Sequence, residues 1–266
     1  MLTTSTTIEQ TVERLRQSAE RVQRERRDFM ASQPQVVRCR VHPDCERMID
    51  ERITATATAN NFGKFKAGYT PCPKCVEEAQ LVRLIGYGLP ENLIHATFEN
   101  FIPDDDADAE HVEAVKSFCQ VKRGSLIMLG GYGTGKSHLA AASLHTFGKG
   151  WFVKNSTLLN CLRDTYRDKS AFDPIDRAQS ARLFVLDDAG LSVGGRDQLP
   201  LLHEILDYRH GERLPTIITS NLEWDSLANV IGERMADRLC ESAFGVMKFT
   251  GGSHRREARQ RYFDDE

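Results

Sequence analysis

The eight residues 130–137, Gly-Gly-Tyr-Gly-Thr-Gly-Lys-Ser, limit what this chain can fold into more than any other stretch. They match the phosphate-binding loop pattern. They also lie where its mechanism needs them, between the strand-like run SLIML (125–129) and the helical pattern SHLAAASL. Glycines at 131, 133 and 135 let backbone N–H groups turn inward around phosphate oxygens, and the following helix offers its positive N-terminal end. The pattern assigns Lys136 to the β and γ phosphates of ATP and Ser137 to Mg2+. With Gly131, Tyr132, Gly133, Thr134, Gly135 and His138 these form the candidate nucleotide cradle. A glycine-rich turn that merely happened to precede Lys-Ser would need neither this strand nor this helix.

Magnesium requires a carboxylate at the end of a neighbouring strand, and LFVLDDAG supplies one: four apolar residues run into Asp187 and Asp188. Asp187 is the candidate that holds Mg2+, often through water, and Asp188 is placed to orient and polarise the attacking water. The strand-like PTIITS ends in Ser220-Asn221, and an amide at a strand tip can hold that water near the γ-phosphate. Asn221 is the candidate. Alone, an Asn at a strand end reads as a turn residue, so its assignment depends on the other two motifs.

From about residue 86 onward, apolar strand-like runs alternate with helical patterns, which predicts an α/β fold with a five-stranded parallel sheet flanked by helices. Strands are expected at 125–129, 151–154, 182–187, 215–220 and 245–249, and helices near 136–147, 156–168, 197–210 and 224–243. The acidic run Asp104–Asp106 reads as a solvated loop. A length of 266 residues suits one such domain plus a smaller attachment. Lys plus Arg (35) against Asp plus Glu (38) give a net charge of −3, which argues against a nucleic-acid binder held by bulk charge. No stretch approaches the roughly 18 uninterrupted apolar residues of a membrane helix. The start, MLTTSTTIEQTVERLRQ, lacks the apolar block and cleavage site of a signal peptide, so the expected location is cytoplasmic.

The N-terminal third is organised differently. Ile8, Val12, Leu15, Ala19 and Val22 recur at spacings of 4, 3, 4 and 3 on a charged helix, a narrow seam that either packs on its own domain or binds a partner. Between 34 and 81 the sequence is polar and weakly patterned, but Cys39-x2-His42-x2-Cys45 and Cys72-x2-Cys75 offer five ligands for a tetrahedral zinc, which takes four. Cys39, Cys45, Cys72 and Cys75 make a four-cysteine site, and His42 can replace Cys39 or Cys45; the spacing leaves this open. Such a closed site is structural and supplies folding energy that the polar segment lacks. It could present Lys64, Lys66, Lys74 and Arg83, with Phe62, Phe65 and Tyr69, to a phosphate backbone or a partner, or act only as a spacer. Cys119, Cys161 and Cys240 read as buried thiols. The expected domains are 1–33, an amphipathic helix; 34–85, a zinc-binding domain; and 86–266, an ATPase domain.

Together the phosphate loop, LFVLDDAG and PTIITSNL resemble the AAA+ ATPases, and more narrowly the DnaC-type replicative helicase loaders with their relatives, the IstB-type transposition ATPases. LPENLIHATFENF resembles the stretch with which loaders contact adenine, implying Phe98, Asn100 and Phe101. IGERMADRL resembles the arginine-finger segment, implying Arg238, with Arg234 second, on the γ-phosphate of a neighbouring subunit. Ser253-His254-Arg255 sits where loaders carry a second sensor, implying Arg255. Two departures stand out: Asp188 occupies a position that is Glu in many AAA+ proteins, implying slow hydrolysis, and the few residues after Arg255 leave no room for a full C-terminal lid.

The resemblance implies an ATP-switched loader that binds a replicative DNA helicase and delivers it to single-stranded DNA at replication initiation, assembling as a homo-oligomer around shared ATP sites. The alternative is an IstB-like DNA-binding ATPase regulating a transposase. A small-molecule kinase would need an acceptor pocket and a lid, and a purely structural zinc protein leaves the magnesium motif unexplained.

Overall fold

The structure, a computed structural model, describes residues 36–48, 55–56, 65–66, 69–103, 105–164, 173–190, 198–241 and 243–252, with scattered positions between 13 and 33. The chain divides into two compact units, Met1–Gln80 and Leu81–Glu266.

In the first unit the described positions between 13 and 32 are helical. The seam residues Ile8, Val12, Leu15, Ala19 and Val22 lie outside the described residues, as do Phe62 and Lys64 and the side chains of Phe65 and Lys66. Two short antiparallel pairs follow, β1 (Val36–Arg38) with β2 (Glu46–Met48) and β3 (Ala55–Thr56) with β4 (Phe65–Lys66). Among its described residues only Cys39 and Cys72 are buried. Those described residues form no apolar core. Its packing converges on sulfur.

Helix α1 (Pro73–Gly86) is followed by a short 3-10 turn and by α2 (Asp106–Val121). The acidic run belongs partly to α2 and not to a solvated loop: Asp105 caps the helix by accepting from the Asp108 N–H at 2.8 Å, and Asp106 is its first residue. A carboxylate at this position satisfies an orphan N–H and complements the helix dipole. Asp104 lies outside the described residues.

The sheet of the second unit contains β5 (Ser125–Gly130), β6 (Trp151–Lys154), β7 (Phe184–Ala189), β8 (Thr216–Ser220) and β9 (Ala243–Phe249), in the order β6-β7-β8-β5-β9, all parallel. Strands β5 and β8 are buried at every position, as expected for a parallel sheet covered on both faces. Alternation splits their side chains between two cores. Leu126, Met128 and Ile217 pack with α2 and α3 (Lys136–Phe147), whereas Ile127, Leu129 and Ile218 pack with α4 (Asn155–Asp164) and α6 (Gln198–Gly211).

Several boundaries differ from expectation. The strand expected over 182–187 runs through both acids to Ala189, and β9 starts two residues early. The stretch 224–243 is two helices, α7 (Trp224–Ile231) and α8 (Glu233–Glu241), separated by Gly232 at φ 88, a left-handed turn that an uninterrupted helix cannot contain. Helix α4 starts at Asn155, and a further helix, α5 (Pro174–Ser180), precedes β7. Of the three isolated cysteines, Cys119 is buried, Cys161 is half-buried and Cys240 is exposed, because α8 turns Cys240 to solvent.

One buried cation supports this arrangement. Arg209 of α6 donates to the carbonyls of Ala178, Ala181 and Pro215 at 2.7, 2.9 and 2.6 Å, and to Thr216 Oγ1 at 3.0 Å. Burial lowers its pKa to about 10, and the carbonyls at the end of α5 supply the negative potential that keeps it satisfied.

Candidate nucleotide site and metal centre

The phosphate loop leaves the end of β5 at Gly130, whose φ of 141 and position 2.1 Å from the Phe249 carbonyl, measured from where a Cβ would stand, admit only glycine. Gly135 caps α3 at φ 88, and a Cβ there would meet the Phe101 ring at 2.4 Å. Lys136 is buried, and its Nζ donates to the carbonyls of Gly130 and Gly131 at 2.8 and 2.6 Å and to Thr134 Oγ1 at 3.2 Å. The ammonium is thus held inside the loop's curve. Gly131 and Tyr132 stand at the exposed rim.

Ser137 and Asp187 meet across the gap between α3 and β7: Ser137 Oγ donates to Asp187 Oδ1 at 2.7 Å. The same carboxylate oxygen accepts from Thr219 Oγ1 of β8, also at 2.7 Å. Thr219 Oγ1 in turn accepts from the Asp188 N–H at 3.0 Å, so one buried hydroxyl positions both acids. Asp188 adopts φ 58, and the β7–β8 register shifts between Leu186 and Ala189, a bulge that re-aims the side chain at the strand end. Asn221 Nδ2 donates to Asp188 Oδ1 at 3.1 Å. Burial pushes the Asp187 carboxyl above its ordinary value, against the pull of the Ser137 and Thr219 hydrogen bonds.

These groups fit a magnesium nucleotide. Hard oxygen donors, the Ser137 hydroxyl and the Asp187 carboxylate, are the type Mg2+ takes, and they stand beside a glycine loop carrying a lysine. Ser137 and Asp187 would hold the ion, which would supply positive charge to offset that of the phosphates. Lys136 would hold the phosphates, and Asp188 with Asn221 would orient water.

The remaining candidates fall in different places. Phe101 is buried against Gly135 and makes an edge contact with His138, ring centroids 5.4 Å apart. His138 Nε2 lies 2.8 Å from the Thr97 carbonyl, tying this segment to the start of α3. Phe98 is half-buried on the core. Asn100 uses its side chain on its own loop, accepting from the Thr97 N–H and donating to the His95 carbonyl at 2.8 and 2.6 Å. Arg234 is exposed, and Arg238 is ion-paired with Asp207 of α6. Arg255 lies outside the described residues.

In the first unit, Cys39, His42, Cys72 and Cys75 bring their ligand atoms within 4.8 Å of one another. His42 Nδ1 is 3.3 Å from Cys75 Sγ and 3.6 Å from Cys72 Sγ, and Cys39 Sγ is 3.6 Å from Cys75 Sγ. Of the three sets open from spacing, this group is the one in which His42 replaces Cys45, whose thiol interacts with that of Cys72. The knuckle forms because the Cys39 N–H donates to the Cys45 carbonyl and the Cys45 N–H to the His42 carbonyl, both at 2.9 Å. Arg47 Nε donates to the Thr70 carbonyl at 2.7 Å, drawing in the segment that carries Cys72. Backbone N–H groups of His42 and Val41 lower the Cys39 thiol to about 6, while Cys39 itself holds Cys75 up at about 12. Three sulfurs and an imidazole in a compact group fit tetrahedral zinc. His42 Nε2 lies 3.0 Å from Glu78, the carboxylate–histidine arrangement that orients a ligating ring.

The sequence reading missed Thr219, Glu78 and Asp207. Glu78 was within reach of it, because it follows Cys75 by three residues on one helical face. Thr219 and Asp207 carry no local signal.

The profile of the family described as IstB-like ATP binding protein matches residues 89–261, more than half of the chain. The chain belongs to this family. The replicative helicase loader DnaC of Buchnera aphidicola subsp. Schizaphis graminum is 26% identical over 171 residues, 60% of this chain and 70% of its own length. The protein of the same name from Escherichia coli strain K12 is 23% identical over 154 residues, 54% of this chain and 63% of its own length. A crystal structure of the DnaC helicase loader superposes with a TM-score of 0.56 at 21% identity, covering 60% of this chain and 100% of that one. The fold is therefore that of an AAA+ ATP-binding domain of the IstB/DnaC type. Among the described residues, no helix is long and apolar enough to cross a membrane.

Proposed function

We propose that this chain is an ATP-switched helicase loader, which binds a replicative DNA helicase and delivers it to single-stranded DNA during replication initiation. The observation that carries the reading is the Ser137–Asp187–Thr219 hydrogen-bond chain beside a lysine-bearing glycine loop, in a chain whose relatives are named replicative helicase loaders. ATP and Mg2+ occupy this site. Asp188 replaces a longer acid, which supports slow hydrolysis suited to a switch, stimulated by DNA and completed by an arginine from a neighbouring copy. Zinc holds the polar N-terminal unit, which grips the helicase. The cysteine and histidine cluster supports the loader reading over a transposase regulator.

Mass photometry of the chain with ATP or ADP, with and without single-stranded DNA and a replicative helicase, tests the proposal. An ATP-dependent complex with the helicase is the expected result. Absence of any helicase complex under all nucleotide conditions overturns it.

A further inference from the structure

The end of the sheet away from the phosphate loop carries an uncommon row of charge. Lys149, Arg182, Arg213 and Arg123 are each exposed and stand two or three residues before β6, β7, β8 and β5, strands that are consecutive neighbours in the sheet. Backbone hydrogen bonds lace these entries together. The Trp151 N–H donates to Leu183 O at 2.8 Å, Phe184 to Pro215 O at 3.1 Å, Thr216 to Gly124 O at 3.0 Å, and Gly124 to Arg213 O at 3.1 Å. With strands about 4.8 Å apart, the four cations form a row about 14 Å long. Among the described residues none of the four is held in an ion pair, whereas Lys122 beside them lies over the Phe147 ring. Among the described residues Glu212 and Glu241 are acids at this edge, and Glu241 faces His210 at 3.9 Å.

At the β5 and β9 end the row opens into a cavity of about 540 Å³ lined by Arg123, Arg213, His210, Glu241, Gly124 and Phe244. Phe244 is 36% exposed, and its ring meets that of Phe118 edge-on at 5.5 Å. Because every strand is parallel, this edge is separated from the phosphate loop by the length of β5, about 20 Å. ATP bound at the loop cannot also serve it.

We propose that this edge is a binding track for the phosphate backbone of a single-stranded nucleic acid, with Arg123 and Arg213 on phosphates and Phe244 as a stacking face for a base. The proposal rests on the loader reading for the presence of DNA and adds where the strand lies. Unpaired cations in a line with an aromatic ring at one end match how single strands are held without sequence readout, by charge along the backbone and stacking of bases. The net charge of −3 fits this, since the grip is local rather than spread over the molecule.

The test uses the full chain and a fluorescein-labelled oligothymidylate, with anisotropy measured across a salt series. Arg213 has φ 52, so it is replaced by Asn, which tolerates that backbone, together with Arg123→Ala. The double variant should bind at least about tenfold more weakly at low salt, and its slope of log affinity against log salt should fall by about 1.4, two contacts at about 0.7 each. Binding of a fluorescent ATP analogue should not change, which also reports folding. Arg123→Lys should keep the slope, and Lys149→Ala with Arg182→Ala should lower it independently. Unchanged affinity and slope in both double variants overturn the track while leaving the loader reading in place. Variants that bind the oligonucleotide normally but lose an acidic protein partner overturn it in favour of a protein surface. Shifts as expected in a chain that never captures a helicase uphold the track and defeat the loader.

Discussion

Arg238 on α8 is ion-paired with Asp207 on α6 within one chain, so a carboxylate of a neighbouring helix engages the candidate finger. Both side chains keep about a third or more of their surface in water, at 33% and 41%. Exposed pairs of this kind contribute about 0.2–1 kcal/mol, a weak attachment.

Arg238→Ala is accordingly expected to bind ATP normally and to lose turnover in the assembled state. Mixing it with Lys136→Ala chains should restore part of the activity, because a junction with an intact Lys136 pocket and an intact Arg238 reappears. Asp207→Asn removes the charge of this partner and should leave that turnover intact. Equal loss in Arg238→Ala and Asp207→Asn, without complementation, would show a structural pair only. Full turnover by Arg238→Ala alone moves the assignment to Arg234.

Lys136 and Asp188 should separate in their effects. Lys136→Ala removes the cation that the loop curves around and should abolish tight ATP binding, read by titration with a fluorescent analogue. Asp188→Asn keeps the left-handed backbone, which Asn tolerates, and should retain binding while stalling hydrolysis. If Asp188→Asn loses binding as severely as Lys136→Ala, Asp188 belongs to the magnesium.

Thr219→Val keeps the shape of a buried side chain but removes the hydroxyl that contacts both acids. A cost of about 1–3 kcal/mol is expected from the unpaired Asp188 N–H and Asp187 oxygen, with a raised Mg2+ requirement, and Thr219→Ser should recover both. The pH dependence follows from Asp187, whose carboxyl burial already pushes up. The folded state then binds this proton more tightly than the unfolded one, so the contribution to metal-free stability falls as pH rises above the ordinary carboxylate value. Thr219→Val should extend that fall to higher pH in urea melts, and an unchanged profile would remove Thr219 from the acid pair.

Elemental analysis should find about one zinc per chain. Cys72→Ser and Cys75→Ser should lose it, His42→Ala should weaken it, and Cys45→Ser should retain it. Glu78→Gln should lower zinc affinity by about 10–100-fold through the orientation of the imidazole. Chelation should expose residues near 36–80 to protease without melting the ATPase core, since the described part of that unit buries only two cysteines. Loss of zinc from Cys45→Ser with retention in His42→Ala would restore the four-cysteine set.

The sheet, its five strands and the phosphate loop were legible in the sequence, because each is a local pattern: a parallel strand covered on both faces is mostly apolar, and the loop must be glycine-rich to bring N–H groups inward. Motif chemistry assigned Ser137 and Asp187 each to Mg2+, and the tertiary structure places them within hydrogen-bonding distance of one another. By contrast, His42 rather than Cys45 joining three sulfurs depends on how the Cys39–Cys45 knuckle folds against α1, which spacing alone leaves open. The break at Gly232 was hidden inside an amphipathic stretch that reads as one helix. Thr219 in an apolar strand, Asp207 facing Arg238, and the alignment of Lys149, Arg182, Arg213 and Arg123 were decided by the tertiary structure alone. These residues are distant in sequence and become neighbours only through the strand order β6-β7-β8-β5-β9, and periodicity, a property of nearest neighbours along the chain, carries no information about which strand lies beside which.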